Sequence, residues 1–244
     1  MSYACLILES PTPGSRERAD GASVHLLEER HDRVVVELEV ARDGGAHDRV
    51  KTSHLKDPNH AQLCEEDAVV YISSRNTDAI VKVNVSSGDV LWTLGGQYGD
   101  YDVVDFDGTR YAKGSSLWAG QHNAEYFGDD EYCMFDNQYD SGNNSRLLCV
   151  VLDEGEGYAY LSWEYDVGDY SPHFGDNDRL PTGNMLGCYW PMYQYADADQ
   201  FDERALEVTR PGGETAWQLD VKGAKCDESE CKRAAGSGWT FYSI

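Results

Sequence analysis

An all-β chain, a partial β-propeller of about three to four antiparallel blades, is what this sequence predicts. Three observations predict it. Helical periodicity is almost absent along the 244 residues. Short strands with alternating apolar residues recur, each pair joined by a Gly/Asp-rich turn. A tryptophan closes three of these units, at Trp92, Trp163 and Trp217. Strand-turn-strand units of this kind cannot bury both faces alone, so they stack. A β-sandwich is the alternative that the same alternation allows.

The elements follow in order. In "SVHLLEERHDRVVVELEV" Val34, Val36, Leu38 and Val40 alternate, a weak first copy. "AIVKVNV" alternates Val81, Val83 and Val85 with Lys82 and Asn84, "SSGD" turns, and "VLWTL" returns. "LLCVVLDEGEGYAYLSWEY" repeats the plan with its turn at 153–157. "ALEVTRPGGETAWQLDV" repeats it again around Pro211, Gly212 and Gly213. Residues 1–54 read as an irregular N-terminal segment with a partial blade, and 55–244 as the propeller region. His25, His31, His47 and His54 fall in the charged first segment and read as solvent-facing.

Charge excludes some partners. Asp and Glu number 44 against 20 Lys and Arg, a net charge of −24. Such a chain repels nucleic acid and anionic membranes. No stretch approaches the roughly 20 apolar residues of a membrane span, and the N-terminus has no basic region before its apolar run. Among the seven cysteines there is no CxxC pair and no His-Cys cluster, which argues against zinc. Cys226 and Cys231 in "CDESEC" are spaced for a small disulfide loop. Asn84 and Asn143 open glycosylation sequons. "DVVDFDGTRY" departs from a calcium loop, with Val103 at the first ligand position and Gly114 at the closing one.

The segments "DPNHAQL", "VVYISSRNTDAIVKVNVSSGDVLWTLGG", "GQHNAEY", "FDN", "SRLLCVVLDE", "WEY" and "RLPTGNML" occur in the order found in the arylsulfotransferase family. The resemblance covers roughly residues 55 to 220. It implies a six-bladed propeller that moves a sulfuryl group from an aryl sulfate to a phenol through a sulfohistidine, with no nucleotide donor and no cofactor. It also implies the site residues. "QHNA" resembles the nucleophile segment, which falls on His122. "DPNH" resembles the segment supplying a second histidine, His60, and "SSR" the one supplying Arg75. Gln62 stands where the family places an asparagine, with the same amide groups on a longer arm. Asn137 of "FDN" is a candidate to touch the substrate or orient a site histidine. No metal is implied.

The chain departs from the family pattern in two further ways. It is about half a usual member, and a further site histidine has no clear counterpart. His173 in "SPHFGDNDRLPTGN" reads as a loop residue near a channel mouth. Two copies joining to complete the ring, a homodimer, is therefore one expectation. A catalytically inactive binding module, or an incomplete propeller, is the alternative to the enzyme. A calcium-dependent propeller hydrolase ranks below both, since no carboxylate spacing stands out. Family members are commonly exported, and no export signal is visible.

Overall fold

A computed structural model describes residues 55, 57–64, 66–190 and 203–221 with their side chains, and four N-terminal strands by their backbone. Those strands are β1 (Cys5–Leu8), β2 (Ala22–Glu29), β3 (Arg33–Ala41) and β4 (His47–Arg49). The weak first repeat is the β2–β3 hairpin, and β4 extends it into a three-stranded sheet. Cys226 and Cys231 lie outside the described residues, as do His31 and His54.

Three antiparallel meanders follow. The first runs through β5 (Pro58–Cys64), β6 (Val69–Ser74), β7 (Ala79–Asn84) and β8 (Val90–Leu94). β1 pairs on the far side of β5. Next come β9 (Asp102–Val104), β10 (Arg110–Tyr111), β11 (His122–Tyr126), β12 (Glu131–Asp136), β13 (Arg146–Asp153) and β14 (Tyr158–Asp166). Of these, β11 to β14 form the second meander, and the β9–β10 hairpin adds to its outer edge, with β9 parallel to β14. The third is β15 (Asp176–Arg179), β16 (Met185–Tyr189), β17 (Glu203–Val208) and β18 (Thr215–Val221). Among the described residues helix is limited to one 3-10 turn, Arg75–Thr77.

The expected turns form for local reasons. In the β7–β8 turn the Asn84 side chain accepts from the Ser86 and Ser87 amides at 2.9 and 3.0 Å. This is the Asx geometry that makes Asn a turn residue. The Asp153 carboxylate does the same for the Glu156 amide at 2.9 Å. "DVVDFDGTRY" is the β9–β10 hairpin, held by Asp102 against Arg110.

Period-2 alternation then builds the core. On β12, Tyr132 and Met134 face the first meander and pack with Tyr71, Ile80, Trp92 and Leu94. Cys133 and Phe135 face the third and pack with Met185, Tyr189, Leu206 and Val208. The second meander is thus buried on both faces, like a blade between two blades. Of the opening strands, β11 lies between β5 and β15 and adjoins both. Three blades with their first strands side by side make a partial β-propeller.

The three tryptophans occupy the fourth strand of each blade, in β8, β14 and β18. Trp92 and Trp163 are buried between blades, whereas Trp217 is 44% exposed. The reason is position, for β18 belongs to the last blade described. A disulfide joins Cys133 to Cys149, directly opposite each other on β12 and β13.

Candidate active site

Inter-blade hydrogen bonds carry the site. Gly120 sits in a left-handed conformation, φ +66°, and its amide donates to the Asp78 carboxylate at 2.6 Å. A Cβ there would lie 2.8 Å from Tyr139 Cβ, so the "GQH" glycine lets the Tyr139 loop close down. Gln121 donates from its side chain to the Ser74 and Ala79 carbonyls at 3.2 and 3.0 Å, tying the second blade to the first. Asn59 Nδ2 donates to the Gln121 carbonyl at 2.7 Å.

His122 opens β11 immediately after these ties. The β11–β12 register slips between His122 and Glu125, where Asn123 takes a left-handed conformation, φ +48°. Such bulges re-aim side chains beside functional sites. Here His122 lines a cavity of about 400 Å³ together with Asp57, Pro58, Asn59, Arg75, His173 and Phe174.

The cavity wall carries one guanidinium, Arg75, one carboxyl, Asp57, and the aromatic ring of Phe174. Arg75 follows β6 and opens the 3-10 turn, and its Nη2 donates to the Pro172 carbonyl at 2.8 Å and meets His173 Nδ1 at 3.3 Å. Its Nη1 donates to Asn76 Oδ1 at 3.0 Å. The guanidinium lies 4.8 Å from the Tyr139 ring centre, within cation–π range. Because a guanidinium only donates, His173 accepts at Nδ1 and carries its proton on Nε2. Phe174 meets the His122 ring edge-on, with centroids 5.9 Å apart, and Trp190 backs both His173 and Phe174.

Burial pushes the His122 imidazole down to about 3, helped by the positive charge of Arg75. The ring is neutral at neutral pH, with a lone pair on one nitrogen. Burial and Arg75 also lower His173. Asn59 Oδ1 is buried on this wall and accepts no hydrogen bond from the protein.

The structure brings His122 and Arg75 to one cavity and places the other sequence candidates around it. His60 on β5 is buried one layer behind and does not line the cavity. Gln62 is a strut. It donates to the Tyr126 carbonyl at 3.1 Å and accepts from the Tyr126 amide at 2.7 Å. Both ends of its amide are thereby used between β5 and β11. Asn137 holds the wall, donating to the Ser171 and Phe174 carbonyls, each at 2.7 Å. It thereby fixes the loop that presents His173 and Phe174.

Sequence reasoning left out His173, Phe174 and Asn59 as site residues. Asn59 had a signal, since it precedes His60 in "DPNH". His173 read only as a loop residue near a channel mouth, and Phe174 had no signal, because nothing local tells which loop crosses to Arg75. Among the described residues, the one group of three metal-ligand types within reach of each other is Glu131, Cys133 and Cys149. Its two sulfurs are joined in the disulfide, so no thiolate is left to bind a metal.

The sequence model of the arylsulfotransferases, described as Arylsulfotransferase (ASST), matches residues 34–230. The chain belongs to the arylsulfotransferase family. The match spans all three blades and every cavity residue. No curated protein sequence matches the chain. Among solved structures, the periplasmic gluconolactonase PpgL of Pseudomonas aeruginosa aligns with a TM-score of 0.43 at 13% identity. That alignment covers 78% of this chain and 49% of the other, so the chain spans about half the length of that structure.

Proposed function

We propose that this arylsulfotransferase-family chain moves a sulfuryl group from an aryl sulfate to a phenol, with His122 as the nucleophile. One observation carries the reading: a buried, neutral imidazole faces a cavity beside a guanidinium. Neutral imidazole attacks; imidazolium does not.

In the first step the lone pair on the unprotonated nitrogen of His122 attacks sulfur. The bond from sulfur to the aryl oxygen breaks, and the phenolate leaves with that electron pair and takes a proton from water. His122 then carries the sulfuryl group on nitrogen. In the second step a phenol oxygen attacks the same sulfur, the N–S bond breaks, and the phenol proton is released. Neutral His122 is restored.

Arg75 keeps its Nε–H and its second Nη1 hydrogen for the sulfuryl oxygens, where transition-state charge collects. Phe174 gives an aromatic ring a face to lie against. His60 was expected to donate to the sulfuryl oxygens or to protonate the leaving phenolate. Its place behind the wall favours support of His122 instead.

A second copy completing the ring remains part of this reading, because Trp217 and Leu219 of β18 are 44% and 51% exposed. A dimer mass in solution supports it, and a monomer counts against it. The function itself is tested by release of nitrophenol from 4-nitrophenyl sulfate with phenol as acceptor. Release that depends on phenol and disappears in His122→Ala supports transfer. Folded protein with no turnover across several aryl sulfates and phenols supports the inactive binding module instead.

A further inference from the structure

Glu125 follows His122 by three residues on β11 and is 2% exposed. Its Oε1 lies 3.5 Å from His60 Nε2. Neither atom has another hydrogen-bond partner, although both are buried. Two orphaned polar atoms facing each other in a core are costly unless one gives the other a proton.

The protonation pattern follows by elimination. The Asn123 side chain interacts with the His60 ring, and because its Nδ2 donates to the Asn177 carbonyl, its Oδ1 is the atom that faces the ring as an acceptor. With Nε2 unpartnered, that bond is made by Nδ1–H. Burial lowers His60 to about 4, so the ring is neutral and Nε2 holds a lone pair. That lone pair requires a donor. The Glu125 carboxyl is within reach and can donate once protonated.

The surroundings of Glu125 keep it protonated. Asp176 and Asp178 face it from β15, His60 and Gln62 from β5, and Cys133 in its disulfide from β12. None of these is a cation at neutral pH. Burial, reinforced by the two aspartates, raises Glu125 to about 9.

We propose that Glu125 is a positioning residue, a neutral carboxylic acid that donates to His60 Nε2 and locks His60 as the Nδ1–H tautomer behind His122. The chain Glu125, His60, Asn123 then carries no charge. It also anchors the Asn123 bulge that turns His122 into the cavity, for Asn123 and Asn177 each donate from the side chain to the other's carbonyl, at 3.2 and 2.6 Å. The tautomer stands on its own; its catalytic consequence rests on the sulfuryl-transfer reading.

The test is long-range ¹H–¹⁵N NMR of the full chain labelled at histidine nitrogen, with His60 assigned by His60→Gln. The expected spectrum at neutral pH has Nδ1 protonated and Nε2 bare. It converts to Nε2–H as pH rises through about 9, when Glu125 ionises and becomes an acceptor. Glu125→Gln keeps the neutral-pH pattern, since its amide N–H still donates, and it abolishes the alkaline conversion. In the transfer assay Glu125→Gln stays close to wild type, whereas Glu125→Leu loses roughly 10- to 100-fold in kcat, the scale on which outer partners of functional histidines act. An Nε2–H signal in the wild type at neutral pH overturns the proposal, as does an alkaline change that persists in Glu125→Gln. The spectra decide the tautomer even in protein that transfers nothing, so failure of the transferase reading stays distinguishable.

Discussion

Two residues of β11, three positions apart in the chain, sit in opposite electrostatic settings. At the strand's start, His122 faces a cavity with Arg75 and His173. Near its end, Glu125 faces Asp176 and Asp178 through buried protein. Both settings yield uncharged groups, by different routes. Burial and a neighbouring cation deprotonate the imidazole of His122, and burial with neighbouring carboxylates protonates Glu125. One strand thus offers a lone pair on one side of the bulge and a proton on the other. Burial thus neutralises an imidazole beside a guanidinium at one end of the strand and a carboxyl beside two aspartates at the other.

Substitutions that break the cavity end should have the largest effects. His122→Ala removes the nucleophile and should lower sulfuryl transfer roughly a thousandfold or more, measured as kcat/KM for 4-nitrophenyl sulfate. Arg75→Lys keeps the charge but loses the planar fork and the stacking on Tyr139. About a hundredfold loss is expected, on the scale of one transition-state donor. Phe174→Ala opens the aromatic wall without touching the reacting atoms. It should raise KM about tenfold and leave kcat nearly unchanged, a split that initial-rate kinetics reads directly.

The strut and the buried acid sharpen the comparison through stability. Gln62→Ala removes both hydrogen bonds that its amide makes to the Tyr126 backbone between β5 and β11. Unfolding in urea should show a loss of about 2 kcal/mol, with activity per folded molecule retained. Burial and the two aspartates raise Glu125 in the fold to about 9, from an ordinary value of 4.5. A raised group contributes stability that is full below its unfolded pKa and is lost as pH climbs to the folded one. Glu125→Gln does not titrate, so its stability relative to wild type should rise between about pH 5 and pH 9 and then level off. Equal pH profiles for the two proteins would show that Glu125 is ionised in the fold.

Much of this was legible before the fold was seen. The alternation in "AIVKVNV" and the turns at Asn84 and Asp153 are local, and local chemistry decides them. The three tryptophans share a strand position because the repeat is real, but Trp217 differs in burial because burial depends on a neighbouring blade. His122 and Arg75 were reached through motif resemblance, and their meeting at one cavity required the packing of β11 against β5 and β6. Gln62 looked like a substrate ligand since its amide suits one; only the facing Tyr126 backbone shows where that amide is used. The cysteines show the same limit. "CDESEC" looked paired by spacing, whereas Cys133 and Cys149 are brought together by strand register. Glu125 gave no signal, because a glutamate in "HNAEY" reads as an outward strand residue until the bulge at Asn123 turns it inward.

The most direct test of the central claim is to look for the intermediate. Protein mixed with an aryl sulfate and no phenol, then quenched under alkaline conditions and digested, should carry one added SO3 on the peptide holding His122. The group should be lost on adding phenol before the quench. Phenol-dependent turnover with no such adduct on that peptide, or an adduct that persists unchanged in His122→Ala, would contradict His122 as the nucleophile.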